Sequence, residues 1–148
     1  MNSFLKEQQG ASILEFLVVI PVLVTLAFTV IEFGGVYIRY NTVTKTVQDA
    51  ARYLTANSDA DQSIAENLIR YNSINAEGGQ LLPGNAFSVD IDRNVPVVGS
   101  GRHVRVTATY NHTPVAGNAL SNLVQLIGGQ PLDLNMALTA SSVMRVIE

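Results

Sequence analysis

Two carboxylates stand out because of where they sit. Glu15 and Glu32 bracket an apolar run, Phe16 to Ile31, that holds no other charged residue. A charge at membrane depth is costly and is therefore usually kept for a function. Ahead of the run, Gly10 is followed by the neutral stretch Ala11-Ser12-Ile13-Leu14, then by Glu15 and Phe16. The remaining candidates for chemistry are weak. His103 and His112 are the only histidines, and neither has an H-x-x-x-H or H-E-x-x-H neighbour. Asp59 with Asp61 and Asp90 with Asp92 are short acidic pairs without the ligand density of a calcium loop. Gly78-Gly79 and Gly128-Gly129 read as turns, since no glycine-rich loop follows a strand and opens a helix. There is no nucleophilic triad, no paired catalytic carboxylates in a plausible cleft and no basic aromatic groove. No catalytic, metal or cofactor site is expected.

The bulk composition narrows the class further. A chain of 148 residues allows one globular domain beside a membrane element. Hydrophobic residues make up 47% and the mean hydropathy is +0.23, high for a soluble domain but explained by one membrane segment. A net charge of −3 points away from nucleic acid. The chain has no cysteine, which excludes disulfides, thiolate metal sites and a Cys-linked lipid. It has no Trp either, so interfacial anchoring falls to Phe33, Tyr37 or Tyr40.

The order of a small residue, four neutral residues, Glu, an aromatic and a hydrophobic run resembles the processing site of type IV pilin-like proteins. In those, a prepilin peptidase cuts after the Gly. Here the cut falls between Gly10 and Ala11, with Glu15 fifth and Phe16 sixth in the mature chain. Downstream come Pro21 within the apolar run, Ile31-Glu32-Phe33-Gly34, Tyr40-Asn41 and Ala50-Ala51-Arg52-Tyr53. Their order and spacing resemble those of TadE-like proteins, minor pseudopilins of the Tad (Flp) pilus system. The resemblance covers about residues 10–53, and Gly35 departs from it where a basic residue would follow E-F-G.

The resemblance implies roles that composition does not. Glu15 and Phe16 would serve recognition during processing and assembly, and the Glu15 carboxylate would pair with the new amino group at Ala11 of a neighbouring subunit. Glu32 is expected to mark the far membrane interface, with Glu32-Phe33-Gly34 and Ala50 to Tyr53 as family signature. The implied partners are a prepilin peptidase, other pilin and pseudopilin subunits, an inner-membrane assembly platform and membrane lipid, with no nucleic acid. The implied location is the bacterial inner membrane, crossed once, with the N-terminus cytoplasmic and the C-terminal domain periplasmic. Incorporation into the pilus stays open.

Residues 1–31 also fit an uncut signal anchor. A cleaved secretory signal fits less well, because the apolar run is long and no A-x-A site follows it. Ala11 to Ile31 rises about 30 Å as a helix, enough to span a bilayer. Pro21 is expected to bend it without a role of its own. Counting bases, Lys6 against Arg39, Lys45 and Arg52, would place the C-terminal side in the cytoplasm, opposite to the resemblance.

Beyond Gly34-Gly35, where a hinge is expected, Val36, Tyr40, Val43, Val47, Ala50 and Leu54 recur on one helical face. Arg39, Thr42, Lys45, Thr46, Asp49 and Arg52 fall elsewhere, and Asp49 can pair with Arg52. The run Thr42 to Val47 has poor helix propensity. A second helix is expected over Gln62 to Tyr71 with Ile64, Leu68 and Tyr71 inward, and a turn at Pro83-Gly84. Phe87, Val89 and Ile91 alternate with polar residues, as do Val104, Val106, Ala108 and Tyr110, predicting a hairpin closed by a loop from about Asn94 to Gly101. Its polar face would set Asp90 and Asp92 against Arg105 and His103. Leu132 to Ala140 predicts a third strand, with a register change near Ser141-Ser142. Ala119, Leu120, Leu123, Val124 and Ile127 predict a short amphipathic helix between Pro114 and Pro131. It would pack under the sheet or form an apolar flap that binds a partner.

The expected architecture is α+β: a long N-terminal helix, membrane-spanning then amphipathic, on a small antiparallel sheet. Residues 1–10 form the leader, 11–33 the membrane helix, 34–57 its amphipathic continuation and 58–148 the head. The function implied is a non-enzymatic minor pseudopilin acting in pilus assembly by initiation, capping or spacing. Two rivals stand beside it. One is a type II secretion pseudopilin, which would carry F-T-L-x-E where Ala11 to Glu15 stand. The other is an uncleaved, signal-anchored periplasmic binding domain.

Overall fold

A single helix, α1 (Ser3–Ala56), carries both the apolar run and the amphipathic stripe. In this computed structural model the backbone is described at residues 3–82, 87–96, 101–126 and 128–146, and side chains from Ile13 onward. The expected turn at Pro83-Gly84 and Ile127 lie outside the described residues, as does the 97–100 part of the hairpin loop. α1 stays helical through Gly34 and Gly35. It also runs through the threonine-rich stretch. There the hydroxyls of Thr42, Thr44 and Thr46 donate to the carbonyls of Ile38, Tyr40 and Val43 at 3.0, 2.9 and 3.0 Å. Val43 and Val47, at 0% and 1% exposure, give that stretch the burial that offsets its propensity.

The chain divides into two compact units. One comprises Val36–His112 and Asn135–Glu148, the other Met1–Gly35 and Thr113–Leu134. The unit beginning at Val36 holds the α+β core. Its elements are the second part of α1, α2 (Gln62–Tyr71), and strands β1 (Phe87–Asp92), β2 (His103–His112) and β3 (Met136–Arg145). The three strands form one antiparallel sheet in the order β1-β2-β3. Val43, Val47, Ala50, Ala51 and Leu54 of α1 pack with Val104, Val106, Ala108 and Tyr110 of β2. Each large side chain taken out of water there contributes about 1.5–3 kcal/mol.

The predicted stripe is found with two changes. Tyr40 remains 43% exposed, while Thr46 is buried because its hydroxyl is bonded back to the helix. α2 has its predicted bounds, but its inward ridge is Ala65 and Ile69, with Ile64, Leu68 and Tyr71 only half-buried. Arg70 fixes α2 on β1: its guanidinium donates to the Phe87 carbonyl at 3.0 Å and lies 5.8 Å from the Phe87 ring centre. Phe87 in turn faces Tyr110 across the ladder, with ring centres 5.1 Å apart. Arg93 donates to the carbonyls of Ser58 and Ala60, closing the turn after α1.

β3 departs from expectation at both ends. Leu132 and Leu134 precede the strand, and pairing with β2 is continuous from Met136 to Arg145, with no register change at Ser141-Ser142. Leu138 and Ala140 are buried, and the same face continues through Ser142 and Met144. The adjacent apolar pair Val143 and Met144 simply straddles the pleat. On the outer face Thr107 meets Ser141 and Thr109 meets Thr139 at 3.1 and 3.0 Å, a ladder of paired hydroxyls. Asp92 lies opposite Arg105 in register, and its carboxylate accepts the N–H of Asn94 at 2.9 Å.

The remaining unit contains α1 up to Gly35 and α3 (Gly117–Leu126). The helix expected in this region exists and belongs to the same unit as the apolar part of α1. Gly117 is required at its start, because a Cβ there would stand 2.5 Å from Cγ of Pro114. Its far end is closed by Gly128 and Gly129, whose N–H groups donate to the carbonyls of Gln125 and Val124 at 3.0 and 2.8 Å.

Two measurements check this account. Leu54→Ala, at a site with 0% exposure, should lower unfolding stability by about 2–5 kcal/mol in urea titration, whereas Tyr40→Ala should cost far less. Asp61 caps α2 by accepting the Ser63 N–H at 2.9 Å, and this bond, with the Ser63 side chain next, holds its carboxyl below the usual value of 3.8. Because the folded value is depressed, the contribution is complete above the ordinary value and is lost as pH falls through the folded one. The Ser63 amide resonance should therefore titrate with a midpoint below 3.8, and this titration should vanish in Asp61→Asn.

Candidate functional site

Most large side chains in the apolar part of α1 are exposed. Ile13, Leu14, Phe16, Leu17 and Val18 are 65–69% exposed, as large apolar side chains rarely are in water. From Ile13 the helix carries a window of mean hydropathy 2.6 with none of it buried, a candidate membrane span. Helical backbone is what such a setting demands, since every peptide group must be satisfied within the segment. The hydroxyls comply as well: Thr25 donates to the Pro21 carbonyl and Thr29 to the Thr25 carbonyl, both at 2.8 Å. Pro21 lies inside the continuous helix.

The two bracketing carboxylates have different surroundings. Glu15 is exposed. Glu32 is 6% exposed, and its two oxygens are held separately: Oε1 accepts the Val115 N–H at 3.3 Å and Oε2 the Ala116 N–H at 3.0 Å. The donors stand at the start of α3, whose first helical bond runs from the Leu120 N–H to the Ala116 carbonyl at 2.9 Å. Ala116 is thus the N-cap residue, and it has no side chain with which to cap. Glu32 provides a carboxylate to that end, where free N–H groups and the helix dipole both favour negative charge. Bonds of this charge-assisted kind are roughly twice as strong as neutral ones.

For Glu32 the sequence offers only the expectation of an interface marker; the structure gives it these two bonds. Its partner lies more than 80 positions away (|i−j| of 83 and 84) and cannot be read from spacing. A weak signal was present in the sequence: Pro114-Val115-Ala116-Gly117 opens a helix without Ser, Thr, Asp or Asn at the cap.

The other named residues separate by environment. The Gly10–Ala11 bond lies within α1, and the side chains at those positions are outside the described set. Phe16 and Phe33 are 67% and 64% exposed, and a Cβ added at Gly34 would meet nothing within 4 Å. Ala50 and Ala51 are fully buried in the other unit, where small side chains let α1 approach the sheet. Arg52 is exposed and pairs with Asp49 at 3.7 Å, as expected. Tyr53 is half-buried.

The histidines are resolved by their partners. His112 is 1% exposed and its Nδ1 accepts from the Arg39 guanidinium at 2.7 Å, so it is neither solvated nor bound to an acid through that atom. His103 lies half-buried at the start of β2, with Nδ1 3.2 Å from the Gly101 carbonyl oxygen. Asp90 and Arg105 are exposed on the outer face of the sheet.

Glu32→Ala should leave the amides of Val115 and Ala116 without their carboxylate, a loss of about 1–3 kcal/mol in local stability. Amide hydrogen exchange at these two positions should accelerate, while exchange in β2 should not. Unchanged protection at Val115 and Ala116 would show that the carboxylate does not hold α3.

No curated protein and no solved structure matches the chain. Residues 10–52, from the Gly10 site to Arg52, match the TadE-like protein family. Over that stretch, under a third of the chain, the sequence is similar to TadE-like proteins.

Proposed function

We propose that this protein is a minor pseudopilin in the assembly of a Tad-type pilus, acting by initiation, capping or spacing rather than by catalysis. The observation that carries the reading is the TadE-like match over residues 10–52, which begins at the proposed cleavage position and includes Glu15 and Glu32. The exposed apolar face of α1 supports it, because it offers a surface for lipid before assembly and for other pilin-like helices afterwards.

In this reading the chain is inserted with its N-terminus in the cytoplasm, and the prepilin peptidase cuts between Gly10 and Ala11. Phe16 and Glu15 take part in recognition. After cleavage, the Glu15 carboxylate is available to a new amino group at Ala11 of a neighbouring subunit. An amine and a carboxylate in a setting of low dielectric gain most by meeting each other. The exposure of Glu15 is compatible with an intermolecular partner. The assembly platform of the inner membrane and other pilin subunits are the proposed contacts, and the sheet with its hydroxyl ladder belongs to the periplasmic part.

The test is N-terminal sequencing of the membrane-bound protein, wild type beside Gly10→Val, in cells with and without the system's prepilin peptidase. The expected result is a mature start at Ala11 that disappears in the variant and without the peptidase. A chain that starts at Met1 throughout would overturn the proposal in favour of an uncut anchor.

A further inference from the structure

We infer that α3 and its flanking residues lie in the bilayer beside α1, and that lipid acyl chains fill the apolar groove between the two helices. The inference rests on the membrane reading of α1 but adds a second lipid-contacting element to it.

Three observations carry it. The first is composition: no Asp, Glu, Lys or Arg occurs from Val106 to Leu132, so insertion of the 113–132 segment would bring no charged side chain to membrane depth. The second is position. Glu32 holds the start of α3 through the N–H groups of Val115 and Ala116, and further along α3 Leu123 and Leu126 line a groove together with Leu17, Val22, Leu26 and Val30. Those α1 residues belong to the apolar run of the candidate span, so the groove is continuous with the face that lipid would cover. The third is the open space itself. The groove measures about 760 Å³, and Leu126 and Val115 are 81% and 76% exposed. Protein side chains leave this apolar surface uncovered, and a hydrocarbon chain matches its chemistry.

The polar side of α3 is compatible with such a setting. Ser121 Oγ accepts from the Gln125 side-chain amide and from the Leu132 N–H, both at 3.2 Å. Ser121 and Gln125 therefore bond within the segment, and the uncharged amphipathic helix relies on apolar burial rather than on attraction to anionic lipid.

The absence of Trp provides a direct test. Single variants Leu126→Trp, Leu23→Trp and Val143→Trp of the full chain would be reconstituted in phosphatidylcholine vesicles with and without bromine on the acyl chains. Leu23 is an exposed residue of the apolar run, and Val143 is an exposed residue of β3. The expected result is a blue-shifted emission from Leu126→Trp that brominated lipid quenches to an extent comparable with Leu23→Trp, while Val143→Trp keeps its emission. If Leu23→Trp is quenched and Leu126→Trp is not, the inference is overturned and the membrane reading stands. A blue-shifted but unquenched Leu126→Trp would then assign the groove to protein, such as a second copy, and a water-like emission would place α3 outside the bilayer. If Leu23→Trp is itself unquenched, the membrane reading falls and the inference falls with it.

Discussion

A carboxylate cannot be buried at the end of an apolar helix without donors, and this constraint organises the unit that contains Glu32. The hydroxyl one turn behind it, that of Thr29, already donates to the Thr25 carbonyl. The donors come instead from backbone: the N–H groups of Val115 and Ala116. Those groups have the complementary problem, because they open a helix whose N-cap is alanine. Each side satisfies a group that would otherwise be left costly, by about 1–3 kcal/mol for a neutral donor and more for a charge. The exchange fixes where α3 begins relative to Glu32 in its own unit.

The second unit is held by a different force. From Val43 to Leu54 one face of α1 is removed from water against β2, and the sheet is kept in register by its alternating faces. Buried apolar area is non-directional, so small errors in predicted side-chain position do little harm. Ala65 and Ile69 replace Ile64 and Leu68 as the inward ridge of α2 without changing the helix. The specific polar bonds, Arg70 to Phe87 and Arg39 to His112, add direction to a core already defined by hydrophobicity.

The two ends of α1 illustrate how one secondary structure serves two solvents. Near Leu17 the apolar side chains are uncovered by protein, and near Val47 they are covered completely. The backbone is the same in both, because a helix satisfies its own peptide groups whichever medium surrounds it. Family signature follows this division. Glu15 and Phe16 lie on the uncovered part, where processing and subunit contact are proposed, while Ala50 and Ala51 are packed in a core. These elements thus have separate physical reasons rather than forming one site.

Much of this was legible in the sequence wherever the information is periodic and local. The apolar run, the stripe from Val43 to Leu54, the bounds of α2 and the β1–β2 hairpin each declare themselves by spacing, because a helix repeats every 3.6 residues and a strand every 2. The continuation of α1 beyond the apolar run was legible from its stripe, although propensity opposed it at Thr42–Val47, where the burial of Val43 and Val47 supports the helix. The uninterrupted pairing of β3 was not legible, because it depends on β2 as a template. The partner of Glu32, the Arg39–His112 bond and the grouping of α3 with the apolar helix depend on residues separated by more than 70 positions (|i−j| of 73 for Arg39–His112). A carboxylate's need for donors is written in its residue type, but which donors answer it is settled only when the folded chain brings them within 3 Å or so.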